Sequence, residues 1–202
     1  MSTTTLTIDI QSYWHPGTGR GSGFHLDALT HAGADGLPRL PGRTLKGLLR
    51  DALLRAETWG WAEVPSGTTE TLFGSRLKER RGHPDDNLST PGCLRVGDAM
   101  LAPEVARYLA SPAGRPLVAG LYREHFSTAI DADSGVAREH SLRGMQILVP
   151  LTLHASLTEV AGAAQPIPDW RHRLQSVFPL ITAVGAHRTR GFGRARLYWQ
   201  EG

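Results

Sequence analysis

A mixed α/β domain of the α+β kind, with strands and helices sharing one core, is predicted by three observations. Apolar alternation marks segments near the start, middle and end of the chain, at 3–10, 147–157 and 197–199. Apolar residues at helical spacing mark two segments between them, one from about 42 to 60 and one from 170 to 184. The chain has 202 residues, 40% of them hydrophobic, enough for one substantial core, and we treat 1–202 as a single domain.

In order, Leu6, Ile8 and Ile10 share one face of a first half-buried strand. A loop with four glycines follows at 15–23 and carries Arg20; such a backbone is either mobile or able to approach a phosphate closely. Pro41-Gly42 ends the next segment and opens a helix. Leu45, Leu48, Leu49, Ala52, Leu53 and Ala56 recur on its core side, and Thr44 is placed to cap its first turn. Arg43, Lys46 and Arg50 fall on the other side. They read either as an ordinary solvated face or, beside the unpaired N–H groups of a helix start, as an anion site.

Residues 76–90 are strongly polar and read as an exposed loop. Residues 93–99 form a short strand, and the stretch to about 116 holds one short helix. From 121 to 143 the chain makes an excursion with a turn at Asp131-Ala132-Asp133-Ser134-Gly135 and Arg123, His125 and Arg138 on its arms. An Asp-x-Asp-x-Gly run hints at calcium, but the remaining ligand pattern and its closing Glu are missing. Residues 147–157 read as one long strand, 170–184 as a helix interrupted at Pro179, and 197–199 as a last strand.

No run approaches the roughly 20 apolar residues needed to span a bilayer, and the start of the chain does not read as a signal peptide. The lone Cys93 excludes an intramolecular disulfide framework and any multi-cysteine zinc site. A cytoplasmic protein without membrane contact is the expectation. Net charge is only +3, yet 20 of the 22 basic residues are arginine, whose planar fork suits phosphate and stacks on bases. They cluster. Residues 185–196 hold Arg188, Arg190, Arg194 and Arg196 with His187, Phe192 and three glycines, a composition suited to phosphate contact, though also to a tight helix-to-strand connection.

The run Leu40-Pro41-Gly42-Arg43-Thr44-Leu45-Lys46-Gly47-Leu48-Leu49-Arg50 fails as a phosphate-binding P-loop, which requires G-x-x-x-x-G-K-[ST]. It resembles instead the Pro-Gly-Ser-Ser-Leu-Lys-Gly-x-x-Arg signature of the RAMP superfamily, the RNA-binding subunits of CRISPR effector complexes. Three further segments are similar in the same order. They are Leu72-Phe73-Gly74 with Pro91-Gly92-Cys93-Leu94-Arg95-Val96-Gly97-Asp98-Ala99, then Thr128-Ala129-Ile130-Asp131-Ala132-Asp133-Ser134-Gly135-Val136-Ala137, and then Gly191-Phe192-Gly193-Arg194. The run at 128–137 is similar to the thumb hairpin of type III backbone subunits, which inserts between nucleotides of the guide–target duplex. Arg43-Thr44 stands in place of the small pair, and Ala132 in place of the thumb's usual arginine.

The resemblance implies a ferredoxin-like, RRM-like core with insertions, including a thumb-like β-hairpin at about 121–143. It implies guide RNA, target RNA, further copies of the chain and other CRISPR effector subunits as partners. The residues expected on RNA are Arg20, Arg43, Thr44, Lys46, Arg50, Arg123, His125, Arg188, Arg190 and Arg194. Asp27 lies in the loop where the resembling subunits carry the aspartate that serves target cleavage, so it is the candidate catalytic residue and Mg2+ ligand. Its flanks, His25 and His31, also raise a three-residue transition-metal site. Three classes therefore stand open: a backbone subunit that cuts target RNA, a catalytically silent structural subunit, and a guide-processing endoribonuclease using histidine acid–base chemistry.

Overall fold

Two antiparallel sheets meet at a bend in the chain. The computed structural model describes residues 3–23, 25–75, 90–160 and 167–200. The first sheet joins β1 (Thr3–Ile10), β2 (Leu94–Val96), β5 (Leu151–Glu159) and β6 (Ala195–Trp199) in the order β2-β5-β1-β6, every neighbour antiparallel. With α1 (Gly42–Thr58) between β1 and β2 and α4 (Trp170–Val177) between β5 and β6, the path is β-α-β-β-α-β. Short α2 (Thr68–Phe73) follows α1, and α3 (Pro103–Ala110) follows β2. The expected mixture of helix and strand around one core is what forms.

The core lies between the first sheet and the helices. Leu6, Ile8 and Ile10 of β1 and Leu153, Ala155 and Leu157 of β5 meet Leu45, Leu49, Ala52, Leu53 and Ala56 of α1, all essentially buried. Each large aliphatic group so buried stabilises by about 1.5–3 kcal/mol. The i, i+4, i+8 spacing of Leu45, Leu49 and Leu53 sets the face that α1 turns inward. Trp170, Leu174 and Val177 anchor α4. A 310 turn at Phe178–Leu180 then replaces the helix, because Pro179 cannot donate a backbone hydrogen bond.

The long strand expected at 147–157 is two strands in two sheets. β4 (Arg143–Leu148) pairs with β3 (Tyr122–Ser127) in the second sheet, and β5 begins at Leu151 in the first. Pro150 between them lacks the N–H that a continuous ladder needs. β1 makes the same passage: its pairing with β5 ends at Ile10↔Leu151, and pairing with the second sheet starts at Trp14↔Leu148. Trp14, fully buried, closes the bend by donating its indole N–H to Val149 O at 3.2 Å.

The glycine-rich stretch is not a loose loop. It folds back on itself, with Thr18 N–H donating to Leu29 O, Leu29 N–H to Arg20 O and Ser22 N–H to Leu26 O, at 2.8–3.0 Å. Its returning limb lies along β4, where Asp27 N–H donates to Gly144 O and Gln146 N–H to Ala28 O. The polar stretch expected as a loop lies, for 76–89, outside the described residues; its ends meet where Ser75 N–H donates to Thr90 O. The excursion at 121–143 is a hairpin, β3–β4, with an exposed tip. Asp131 accepts bonds from the N–H groups of Asp133 and Ser134 and from the Ser134 hydroxyl, which holds its carboxyl below the usual range.

Candidate nucleic-acid interface

The start of α1 differs from the expected helix cap. The N-cap is Pro41, which makes no side-chain capping bond. The Gly42 N–H instead donates to the Asp98 carboxylate at 2.7 Å. That carboxylate also lies 3.8 Å from the Arg39 guanidinium. An internal anion therefore already occupies the helix dipole's positive end, and an external phosphate must be met by side chains. Gly42 is required because a Cβ there would fall 2.5 Å from Val96 O. Arg43 and Thr44 are exposed, whereas Lys46 and Arg50 are half-buried. Released from capping, Thr44 lines a crevice of about 240 Å3 with Pro16, Gly17, His31, Gly185 and Ala186. Three segments far apart in sequence share this crevice.

His15 ties those segments together. It is buried, its Nδ1 lies 2.6 Å from Gln146 O on β4, and its own carbonyl accepts the Ala186 N–H at 2.8 Å. Burial pushes its pKa down, the Gln146 contact partly opposes this, and nearby His187 lowers it further. The Gln146 side chain accepts the Thr30 hydroxyl at 2.7 Å and the Thr30 N–H at 3.2 Å, fixing the returning limb. Neither His15 nor Gln146 stands out in the sequence, since nothing in either local pattern distinguishes a buried polar anchor.

The C-terminal loop lies beside them. Arg188–Arg190 forms a 310 turn with all three residues exposed, and Arg188 and Thr189 share a groove with Leu48, Asp51 and Arg55 of α1. Phe192 does not project freely; its ring lies edge-on to His125 of β3 at 5.3 Å and to His187 at 6.3 Å. Gly193 is obligatory, with φ of 71° and an added Cβ only 1.9 Å from Val184 O. Arg194 is exposed, and its N–H donates to Ser12 Oγ at 2.9 Å. Arg196 parts from the cluster because it lies on β6 opposite Asp9.

Asp27 is exposed on the returning limb. One carboxylate oxygen accepts the Gly144 N–H at 2.9 Å, so the side chain pins the limb to β4. His25 turns to Glu124 at 2.9 Å, and His31 lines the crevice. The three-residue transition-metal site does not form: among the described residues no three His, Cys, Asp or Glu side chains gather to hold a metal ion. A lone carboxylate still suits Mg2+, which needs only one or two protein ligands when phosphates supply others. Arg20 lies exposed on the outgoing limb. Arg123 folds onto the carbonyls of Gly120 and Tyr122 at 2.9 and 2.7 Å.

A sequence profile of the RAMP superfamily matches residues 7–196. The chain belongs to the RAMP superfamily. Among solved structures it is similar to a chain of a type III-B Cmr-beta complex bound to cognate target RNA, with a TM-score of 0.71 and 10% identity, covering 98% of this chain and 97% of that one. A chain of the same type of complex in its apo state gives a TM-score of 0.68 at 12% identity, with the same coverage. No curated protein sequence matches. The segments that carry the RAMP resemblance at 40–50 and 185–194 are those the fold brings side by side. Among the described residues, no helix of this RAMP protein is long and apolar enough to cross a membrane.

Proposed function

We propose that the chain is a backbone subunit of a type III CRISPR effector complex that binds guide RNA and cuts paired target RNA through Asp27. The observation that carries this reading is the convergence of Thr44, Gly185-Ala186 and Pro16-Gly17 on one crevice, with Asp27 exposed on the limb that leads from it. Guide phosphates lie against the Thr44 hydroxyl and against Arg43, Arg188 and Arg190, whose charge suits any sequence alike. Partners are the guide, its target, neighbouring copies and other effector subunits.

Target cutting uses the 2′-hydroxyl as nucleophile on the adjacent phosphate, giving a 2′,3′-cyclic phosphate and a free 5′-hydroxyl. Asp27 would hold Mg2+, which when bound supplies positive charge beside the phosphate. The bond from Gly144 fixes the carboxylate, and β4 fixes Gly144, so the group is positioned before the target arrives. One observation favours the silent-subunit reading: Asp27 already has a structural duty at Gly144, and among the described residues it is not part of any group of three metal-binding side chains. Cleavage of labelled target by the guide-loaded assembly, with Mg2+ and with a chelator, separates the two. Wild-type cutting that disappears in Asp27→Asn while guide binding persists is the expected result. Equal cutting by the variant removes the catalytic role, and binding without cutting by wild type establishes the silent one.

A further inference from the structure

The first sheet ends on β6, and no strand lies beyond it among the described residues. Its ladder to β1 fixes which backbone groups face outward. Gln11 N–H donates to Arg194 O, Gln200 N–H donates to Thr5 O, and Arg196 and Tyr198 stand opposite Asp9 and Thr7 between them. Alternation then turns the N–H and C=O groups of Leu197 and Trp199 away from β1. On that side the described residues supply a backbone partner only at the start: Val184 N–H donates to Gly193 O at 2.8 Å and Ala195 N–H to Thr182 O at 3.0 Å. Upstream of Thr182 the chain leaves the edge through the 310 turn at Phe178–Leu180. Where it leaves, a groove of about 550 Å3 opens along β6.

The groove's lining indicates what it takes. Phe178, Pro179, Ile181 and Leu197 give it an apolar floor, Arg194 and Arg196 give it positive charge, and among the described residues no carboxylate lines it. We propose that this edge binds an extended acidic segment of a protein partner, which adds a strand antiparallel to β6 in line with Thr182–Val184. An open row of N–H and C=O groups recognises a strand, and the apolar floor receives alternate side chains. The arginines select the sign of the charge. A second copy pairing through the same edge would bring like-charged Arg196 side chains together, which disfavours self-association. A nucleic acid would meet the arginines but leave the backbone row and the apolar floor unused.

The probe is a fluorescein-labelled peptide, Thr-Val-Glu-Val-Glu-Val-Thr, beside a version N-methylated along one edge, a version with Lys for Glu, and a single-stranded RNA. Polarisation measures affinity, and amide hydrogen exchange measures protection at Leu197 and Trp199. The acidic peptide is expected to bind and to slow exchange at both amides. The N-methylated and lysine versions should bind at least tenfold more weakly, and Arg196→Glu should reverse the charge preference. Absence of peptide binding, equal binding of the N-methylated form, unchanged exchange at the two amides, or stronger protection of them by RNA would each overturn the proposal.

Discussion

At the scale of single residues, two side chains connect folding to function. Asp27→Ala removes the acceptor of the Gly144 N–H, so it costs about 1 kcal/mol, more than an ordinary surface change. Asp27→Asn keeps an acceptor oxygen and loses the charge. Both variants should lose Mg2+-dependent cutting and keep guide binding, and only the alanine should show a lower urea midpoint. If the asparagine variant also destabilised, the carboxylate's charge would be part of the fold. His15 gives a pH dependence. Its folded pKa lies below the unfolded value near 6.5, so the unfolded chain binds the proton more readily. The stability it confers is complete above about 6.5 and falls as pH drops through the folded value, by at most about 1.4 kcal/mol per pH unit for one proton. Urea midpoints at pH 7.5, 6.5 and 5.5 should fall less steeply for His15→Gln than for wild type. Parallel slopes would remove His15 as the source.

At the scale of elements, the β3–β4 hairpin separates scaffold from extension. Its base is held by Tyr122, whose hydroxyl donates to Gly36 O at 2.7 Å, while Ile130 and Val136 at its tip are 62% and 61% exposed. Replacing 129–138 by a short glycine linker should therefore leave monomer stability within about 0.5 kcal/mol, and should impair target cutting in the assembled complex. Unfolding of the monomer by that deletion would make the tip part of the core. The tip's turn was legible because Asp131, Ser134 and Gly135 are turn residues whose bonds are local. Strand β1 was legible to the residue, since the alternation of Leu6, Ile8 and Ile10 records a sheet with one buried face. The division at Val149-Pro150 was not, because inward-facing apolar residues continue through it from one sheet to the other. The helix cap was missed for a related reason: the acceptor for Gly42 is Asp98, 56 residues away, and local rules see only neighbours. Of the site, sequence located the motifs, but not the buried His15–Gln146 pair that brings them together.

At the scale of the whole molecule, a net charge of +3 makes a weak long-range field, and ordinary salt screens charges beyond about 8 Å. RNA affinity then depends on where arginines gather. The fold places exposed Arg43 at the start of α1 and exposed Arg188 and Arg190 in the loop whose backbone joins Thr44 across the crevice. Arg196, equal in charge and near in sequence, lies on the sheet edge instead. Counterion release turns this difference into a measurable slope: each lost phosphate contact flattens log affinity against log salt by about 0.7 for single-stranded RNA. Arg43→Gln, Arg188→Gln and Arg190→Gln should each flatten it by about that amount, and the triple change by about 2. Arg196→Gln should leave it unaltered, although all four variants remove the same charge. The measurement is fluorescence polarisation of a labelled RNA oligonucleotide from 50 to 300 mM KCl. Four equal changes in slope would show that the RNA responds to total charge, and the crevice would lose its place as the interface.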